Sequence, residues 1–326
     1  MTRTLPISAP PLVTVIALCF NHARFVLECL ESIRAQTYQD FELIVTDDCS
    51  KDNSPEIISN WLERHYPQAK FIRHEKNAGL CRTLNEALGQ AHGQFIAMIA
   101  TDDTWEPDKL RVQLEMISSC GEDVAVVYSD AYQMDETGKR LDKNFLETHG
   151  IVGPPPHGEI FSRMADGNFI PAMATLIRRK ALDNVGGYDE SLTYEDFDMW
   201  LRLSDRYKFA YLPGQVANYR IVSTSIVRTI FENPTPAHAY SVFSIANKWL
   251  KTDRLTAEQR NRWHARQADA AYQLYRLEDD RAAGCLLKAF KTTRSLRLLL
   301  LATTQAIGLR RSRLKRVARL FGHDSP

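Results

Sequence analysis

Three pairs of adjacent carboxylates are the residues of this sequence best suited to chemistry. Neighbouring anions repel each other, so proteins usually keep them together to hold a cation or to move a proton. One pair follows the apolar run Phe95–Ala100, a predicted buried strand, and such strand ends face the ligand-binding crevice of α/β proteins. A carboxylate there could instead cap a helix beginning near Pro107. The three pairs are Asp47 with Asp48, Asp102 with Asp103, and Glu195 with Asp196.

The elements that must hold these pairs alternate between strand and helix. Short apolar runs predict buried strands, and apolar residues at helical spacing predict helices that begin near Phe25, Ser54 and Leu80. This alternation predicts βαβ units, an α/β fold and a mainly parallel sheet. We also expect Thr104–Pro107 to lead straight into a helix. The predicted strands are Val13–Leu18, Phe41–Val45, Lys70–Arg73, Phe95–Ala100, Val124–Tyr128 and Ala172–Ile177.

The remainder of the chain has a different organisation. Residues 134–168 are rich in glycine, proline and charge and lack clear periodicity, which is typical of a functional loop region. From about Val227 the apolar spacing is helical throughout. We therefore predict a domain boundary near residue 225, between a first domain of residues 1–225 and a helical region of residues 226–326. The predicted helical stretches are Phe243–Leu250, Ala257–Arg276, Ala282–Phe290 and Leu296–Leu309.

Charge is segregated along the chain. Residues 281–326 hold eleven basic residues and one acidic residue, a formal charge of +10, whereas residues 1–280 hold 30 basic and 39 acidic residues, a charge of −9. This segregation predicts an anionic partner for the tail, and a solvated basic helix face is the alternative. Basic residues interleave with leucines rather than with stacking aromatics, so nucleic acid is a poor candidate.

The tail also contains an apolar segment, Leu296–Leu309, that is shorter than the roughly 20 residues needed to cross a bilayer. Because basic residues flank it on both sides, we expect residues 288–319 to lie against a membrane surface that carries anionic lipid. The competing interpretation is that these C-terminal helices pack on the rest of the chain or form a homodimer interface.

The cysteines and the N-terminal segment indicate the compartment. Residues 1–11 show neither the basic start nor the apolar core of a signal peptide. The six cysteines have no CxxC pair and no metal-ligand spacing, which predicts reduced structural thiols. We expect a cytoplasmic protein, peripheral on the inner face of the cytoplasmic membrane.

Several motifs occur in an order and spacing that resembles the inverting glycosyltransferases of family 2. The resemblance covers roughly residues 12–222 and implies the GT-A fold, a mixed, mainly parallel sheet flanked by helices. Ala100 stands where many members have an additional Asp, and Val222 stands where a His often follows the pair Tyr219-Arg220. The matching segments are Val15–Asn21, Leu30–Thr37, Phe41–Asp52, Asn77–Leu80, Ala100–Asp103, Val185–Glu190 and Glu195–Trp200.

The resemblance implies transfer of a sugar from a nucleotide-sugar donor, with UDP favoured by family habit, to a saccharide or lipid-linked saccharide in bacterial surface-polysaccharide assembly. Asp196 would be the catalytic base that takes the proton of the acceptor hydroxyl, and Glu195 would orient or share this site. Asp102 and Asp103 would bind the donor diphosphate through Mn²⁺ or Mg²⁺. The expected nucleotide-sugar contacts are Phe20, Asn21, Asp48, Gly79, Arg82, Asp102 and Arg220.

Several of these residues have an alternative structural role. Asp48 would accept a hydrogen bond from the base or ribose, and Asp47 would stabilise its turn, although either could form an Asx-turn. Arg82, near a helix start, could contact the diphosphate because guanidinium matches phosphate geometry. Three histidines have no partner at ligand spacing, and we interpret them as surface or structural residues. They are His22, His74 and His157.

Two other functions compete with transfer. The departures at Ala100 and Val222 favour a sugar-nucleotide-binding protein that has lost catalysis, but retention of Glu195 and Asp196 argues against it. A nucleotidyltransferase would need a glycine-rich, basic phosphate loop after the first strand, and Cys19–Arg24 is not one.

Overall fold

The computed structural model describes residues 12–222 and 235–306. They divide into two compact units, the first formed by residues 12–190 and 195–222 and the second by residues 191–194 and 235–306. The predicted boundary near residue 225 lies outside the described residues. So do the N-terminal segment of residues 1–11 and the part of the predicted tail beyond Ala306.

An eight-stranded sheet forms the centre of the first unit. Its strands are β1 (Val13–Cys19), β2 (Phe41–Asp47), β3 (Lys70–Arg73), β4 (Phe95–Ala100), β5 (Thr104–Trp105), β6 (Val124–Met134), β7 (Thr175–Arg178) and β8 (Lys208–Arg220). In space they follow the order β3-β2-β1-β4-β7-β6-β8-β5. β1 runs parallel to β2 and β4, β2 to β3, and β6 to β8, whereas β7 and β5 are antiparallel to their neighbours. The sheet is therefore mixed and mainly parallel.

Helices flank this sheet because its central strands have no polar face. β1 and β4 are buried along almost their whole length, as expected for parallel strands covered on both sides. The helices of the first unit are α1 (Val26–Arg34), α2 (Ser54–His65), α3 (Leu80–Gln90), α4 (Lys109–Ser119), α5 (Phe145–Thr148), α6 (Phe161–Asp166), α7 (Arg179–Val185) and α8 (Glu195–Arg206). In α1, the residues Val26, Cys29, Leu30 and Ile33 form the buried face at helical spacing.

The register of the parallel strands brings three polar loops to one edge. Cys19 at the end of β1 pairs with Asp47 at the end of β2, and Leu18 pairs with Ala100 at the end of β4. The loops after these three strands therefore start side by side. We refer to the space that they border as the strand-end crevice.

Two expectations for this unit were wrong in detail. Thr104 and Trp105 form β5, paired with Asn218 and Ala217 of β8, and α4 begins only at Lys109. Trp105 is buried and donates its indole N–H to the Met173 carbonyl at 2.8 Å, which holds the segment extended. The strand predicted from Ala172 begins with a 3₁₀ turn over Ala172–Ala174 and is extended only in β7.

The described part of the second unit is helical, as predicted. It contains α9 (Pro236–Trp249), α10 (Ala257–Arg276), α11 (Ala282–Thr293) and α12 (Leu296–Ala306). The last two helices complete the unit's core, because Leu286 and Ala289 of α11 and Leu298 and Ala302 of α12 are buried in one cluster with α10.

Candidate active site

Asp47 and Asp48, at the end of β2, have their carboxylates engaged with the protein. Asp47 is fully buried and accepts the Ser50 N–H at 2.9 Å, which stabilises the turn. Asp48 accepts hydrogen bonds from His74 Nδ1 at 2.8 Å, from the Ala78 N–H at 2.6 Å and from the Gly79 N–H at 2.9 Å. A carboxylate has about four acceptor positions, so Asp48 fixes the entry to α3 and keeps about one position for a ligand.

Gly79 and Arg82 lie at that entry. Gly79 adopts φ +84°, in the left-handed region that only glycine reaches without strain. The hydrogen bond from its N–H to the Asp48 carboxylate fixes the peptide directly before α3. Arg82, in the first turn of α3, is exposed, so its guanidinium can reach an anion at the helix N-terminus, where the helix dipole also favours negative charge.

Phe20 and Asn21 begin the loop after β1, and Asn21 connects this loop to the loop after β2. Phe20 is 42% exposed at the end of β1. Asn21 adopts φ +57°, donates its N–H to Ser50 Oγ at 2.8 Å and accepts the Lys51 N–H on Oδ1 at 2.7 Å. Asn21 therefore stabilises the loops that border the crevice. Phe20 leaves part of its aromatic ring exposed, where a planar ligand could stack on it.

A cleft of about 500 Å³ opens beside β2 and β3, a volume within the range of small-molecule sites. Its lining is polar and includes cations from two elements, Lys51 after β2 and Arg73 of β3. The lining residues are Asp47, Cys49, Ser50, Lys51, Arg73, His74 and Glu75.

Asp103, after β4, is buried and accepts the Arg220 N–H on Oδ1 at 2.8 Å. Burial, and then the charge of neighbouring Asp102, raise the pKa of Asp103 well above its usual range. The Arg220 guanidinium donates to the Asp102 carbonyl at 2.7 Å and to Glu28 Oε2 at 2.6 Å. The buried Arg220 side chain therefore holds the Asp102–Asp103 turn and faces Glu28, and its contact with a donor stays a prediction.

Asp102 and His22 border the crevice together. Their side chains are 18% and 22% exposed, and His22 Nε2 lies 3.8 Å from Asp102 Oδ2. His22 Nδ1 is hydrogen-bonded to Thr101 Oγ1 at 2.9 Å. His22 therefore has partners that lie 79 and 80 residues away, which no spacing rule detects, and these contacts agree with its interpretation as a structural residue.

The side chains at this edge of the crevice suit a divalent ion whose remaining ligands are supplied by substrate phosphates. Within residues 12–222 and 235–306, no group of three or more His, Cys, Asp or Glu side chains could hold a metal ion. Magnesium-type ions, however, are commonly held by one or two carboxylates together with substrate phosphates. Asp102 is the carboxylate of its pair that reaches the crevice, and Asp103 supports the turn from inside.

Glu195 and Asp196 form the first turn of α8 and are both partly buried. Asp196 accepts the Asn168 amide on Oδ2 at 2.8 Å and the Phe197 N–H on Oδ1 at 2.6 Å. Burial raises the pKa of Asp196 to about 6, although these hydrogen bonds lower it. Burial, reinforced by the charge of Asp196, raises the pKa of Glu195 to about 8. Asp196, held by two hydrogen bonds and with its pKa raised by burial, is therefore suited to accept a proton.

Asn85 of α3 anchors the segment that leads to this pair, a role that the sequence did not suggest. Its amide donates to the Tyr188 carbonyl at 2.9 Å, and its Oδ1 accepts the Tyr188 N–H at 2.8 Å. The charge of Glu195 also contributes, after burial, to the raised pKa of Cys81 in the first turn of α3. The carboxylate pair of α8 therefore lies near the helix start that Asp48 and Gly79 fix.

A family model gives the identification. The model described as glycosyl transferase family 2 matches residues 14–186, more than half of the chain. The chain belongs to this family. The sequence-based recognition is thereby confirmed, and the protein is a glycosyltransferase.

Curated relatives agree with this identification. This glycosyltransferase is 28% identical over 219 residues to a putative teichuronic acid biosynthesis glycosyltransferase, TuaG of Bacillus subtilis, covering 66% of this chain and 81% of TuaG. It is 31% identical over 131 residues to the succinoglycan biosynthesis protein ExoO of Rhizobium meliloti, covering 40% of this chain and 37% of ExoO.

Solved structures confirm the GT-A fold. Residues 1–349 of S. aureus TarS in complex with UDP-GlcNAc superpose with a TM-score of 0.63 at 17% identity, covering 96% of this chain and 93% of that one. The chain spans 53% of a longer TarS structure. The mannosyltransferase PcManGT of Pyrobaculum calidifontis, in complex with GDP-Man and Mn²⁺, gives a TM-score of 0.56 at 18% identity, covering 97% of this chain and 89% of that one.

Proposed function

We propose that this glycosyltransferase transfers a sugar from a UDP-linked donor to a saccharide or lipid-linked saccharide acceptor, with inversion at the anomeric carbon. The observation that carries the proposal is the state of Asp196. This carboxylate is held in the first turn of α8 by the Asn168 amide and the Phe197 N–H, and burial raises its pKa to about 6. A general base works best when its pKa lies near the operating pH.

The transfer itself needs one proton acceptor. The acceptor hydroxyl oxygen attacks the anomeric carbon from the face opposite the diphosphate, and its proton passes to Asp196. The bond between the anomeric carbon and the diphosphate oxygen breaks, and the nucleoside diphosphate leaves with that electron pair. Glu195, whose pKa burial raises, can hold a proton and donate a hydrogen bond beside the base.

The leaving group requires positive charge at the strand-end crevice. Asp102 is placed to hold the diphosphate through a divalent ion, which when bound neutralises the charge that develops on the departing phosphate. Arg82 at the start of α3 supplies a second positive charge. Phe20 and the remaining acceptor position of Asp48 are available to the base and ribose.

The choice of donor and acceptor class has its support in the relatives. TarS has been solved with UDP-GlcNAc, and TuaG and ExoO are named for teichuronic acid and succinoglycan biosynthesis. We therefore place this enzyme in surface-polysaccharide assembly. We also propose that its basic tail, residues 288–319, contacts the inner face of the membrane, and a homodimer interface formed by the C-terminal helices is the alternative.

The test is a panel of UDP-, GDP-, dTDP- and CMP-sugars, scored for binding by thermal shift and for release of nucleotide by the full chain. We expect a UDP-sugar to bind and to turn over with Mn²⁺ or Mg²⁺. Asp183→Asn, an exposed carboxylate of α7, is the control that should leave turnover unchanged. Binding without any turnover would favour a sugar-nucleotide-binding protein, and turnover of other nucleotides alone would exclude the UDP assignment.

A further inference from the structure

His22 is held rigidly at the edge of the strand-end crevice. Its backbone N–H donates to Ser54 Oγ at 3.0 Å, and its carbonyl accepts the N–H groups of Phe25 and Val26 at 2.8 Å each, where α1 begins. Its ring is fixed by the 2.9 Å hydrogen bond between Nδ1 and Thr101 Oγ1. Both the position and the orientation of the imidazole are therefore set without a ligand.

The free edge of this ring faces a carboxylate that it does not bond directly. Nε2 lies 3.8 Å from Asp102 Oδ2, longer than the roughly 2.7–3.2 Å of a hydrogen bond. When Nδ1–H donates to Thr101 Oγ1, Nε2 carries a lone pair and lies 3.8 Å from the carboxylate oxygen. A hydrogen bond from the second ring nitrogen is the usual way in which proteins orient a metal-binding histidine.

We propose that His22 Nε2 and Asp102 Oδ2 jointly bind the divalent ion that holds the donor diphosphate. In an octahedral shell with bonds of about 2.1 Å, adjacent ligand atoms lie about 3 Å apart, so a shift of less than about 1 Å brings the two groups together on one ion. A nitrogen ligand favours a transition ion, whereas Mg²⁺ prefers oxygen ligands only. His22 thereby gives the site a preference for Mn²⁺ over Mg²⁺.

The proposal rests on the proposed function in one respect, the use of UDP as a ligand, so the first measurement uses the metal alone. Mn²⁺ binding to the full chain is followed by electron paramagnetic resonance, and UDP binding in Mn²⁺, Mg²⁺ or EDTA is followed by calorimetry. The test variant is His22→Asn, because the asparagine amide can keep the bond to Thr101 at the position of Nδ1 but has no group at the position of Nε2. His92→Asn, an exposed histidine paired with Glu42, is the matched control.

We expect the wild type and His92→Asn to bind UDP more tightly with Mn²⁺ than with Mg²⁺. In His22→Asn the Mn²⁺ affinity should fall about 10-fold or more, and UDP should bind equally well with the two ions.

An unchanged Mn²⁺ affinity and an unchanged ion preference in a folded His22→Asn variant would overturn the proposal. An equal loss of UDP affinity in Mn²⁺, Mg²⁺ and EDTA would also overturn it and would assign His22 a direct contact with the nucleotide. If the wild type binds Mn²⁺ through His22 but does not bind UDP, the proposed UDP donor is rejected and the metal site is still supported.

Discussion

At the scale of single residues, the two carboxylates of each adjacent pair lie in different environments. Asp102 borders the crevice while Asp103 is buried against Arg220, and Asp196, next to Glu195, is held by the Asn168 amide and the Phe197 N–H. The sequence could predict these carboxylate pairs because residue type and position at a strand end or a helix start are local properties. It could not predict which member faces the ligand, nor the contact of His22 with Asp102, because those depend on pairings between distant segments.

Asp196 should matter for turnover much more than for donor binding. A positioned general base contributes roughly 10²–10⁴-fold, so Asp196→Asn, which can keep the Asn168 contact, should lower kcat by about that factor. UDP affinity by calorimetry should stay near the wild-type value. Because the base must be ionised, wild-type kcat should fall as the pH drops below about 6. A variant that keeps more than a third of the rate would move the base role to another residue.

Glu195 should lower stability at neutral pH. Its pKa is raised from 4.5 to about 8, so the folded chain holds a proton that the unfolded chain loses, and stability falls as the pH rises from about 4.5 to about 8. Glutamine imitates the neutral form at every pH. Glu195→Gln should therefore raise Tm more at pH 8 than at pH 5. A gain that does not depend on pH, or that also occurs in exposed Glu63→Gln, would contradict the raised pKa.

At the scale of elements, strand order and register create the crevice. The bounds predicted for β3, β4 and the long helix α10 match the structure, because apolar runs and helical periodicity are strong local signals. β5 was missed because it has two residues and its partner in β8 lies more than 110 residues later. Short segments with distant partners carry no local pattern.

Gly93, which leads into β4, should be required for the close contact with β1. A methyl group there would meet the backbone of Val13 and Thr14 and lie 2.6 Å from Thr14 Oγ1. Overpacking of this kind costs about 1–3 kcal/mol, so Gly93→Ala should lower the free energy of unfolding in denaturant titrations. Gly89→Ala in α3 is the control, since its methyl group meets nothing within 4 Å and helix propensity should make it neutral or slightly stabilising. Equal stability of the two variants would refute the packing argument.

At the scale of the whole molecule, the charge segregation predicts an anionic partner for the basic tail. No described helix is long and apolar enough to cross a membrane. In α12, Leu296 and Leu300 are 71% and 65% exposed. A chain cut near Asp280 would lose α11 and α12 and with them part of the second unit's core, so membrane contact must be tested with smaller changes.

Vesicle binding should depend on the basic residues beyond Ala306. A chain ending there lacks six basic residues, each contributing about 1 kcal/mol near an anionic surface, so its partition to phosphatidylglycerol vesicles at low salt should fall by at least about 100-fold. Leu296→Glu with Leu300→Glu should weaken binding further, whereas Val152→Asp, an exposed site of the first unit, should not. Equal sedimentation of all chains in low salt would favour helix packing or a dimer.

Direct displacement at the anomeric carbon inverts its configuration, so the anomer that the enzyme releases first tests the proposed mechanism. Slow hydrolysis of an α-linked nucleotide sugar by the full chain, followed by proton NMR, reports the anomer of the free sugar before it equilibrates. Inversion predicts that the β anomer is formed first, and the role of Asp196 as base predicts that Asp196→Asn slows its release. Release of the α anomer first would contradict inversion and the role assigned to Asp196.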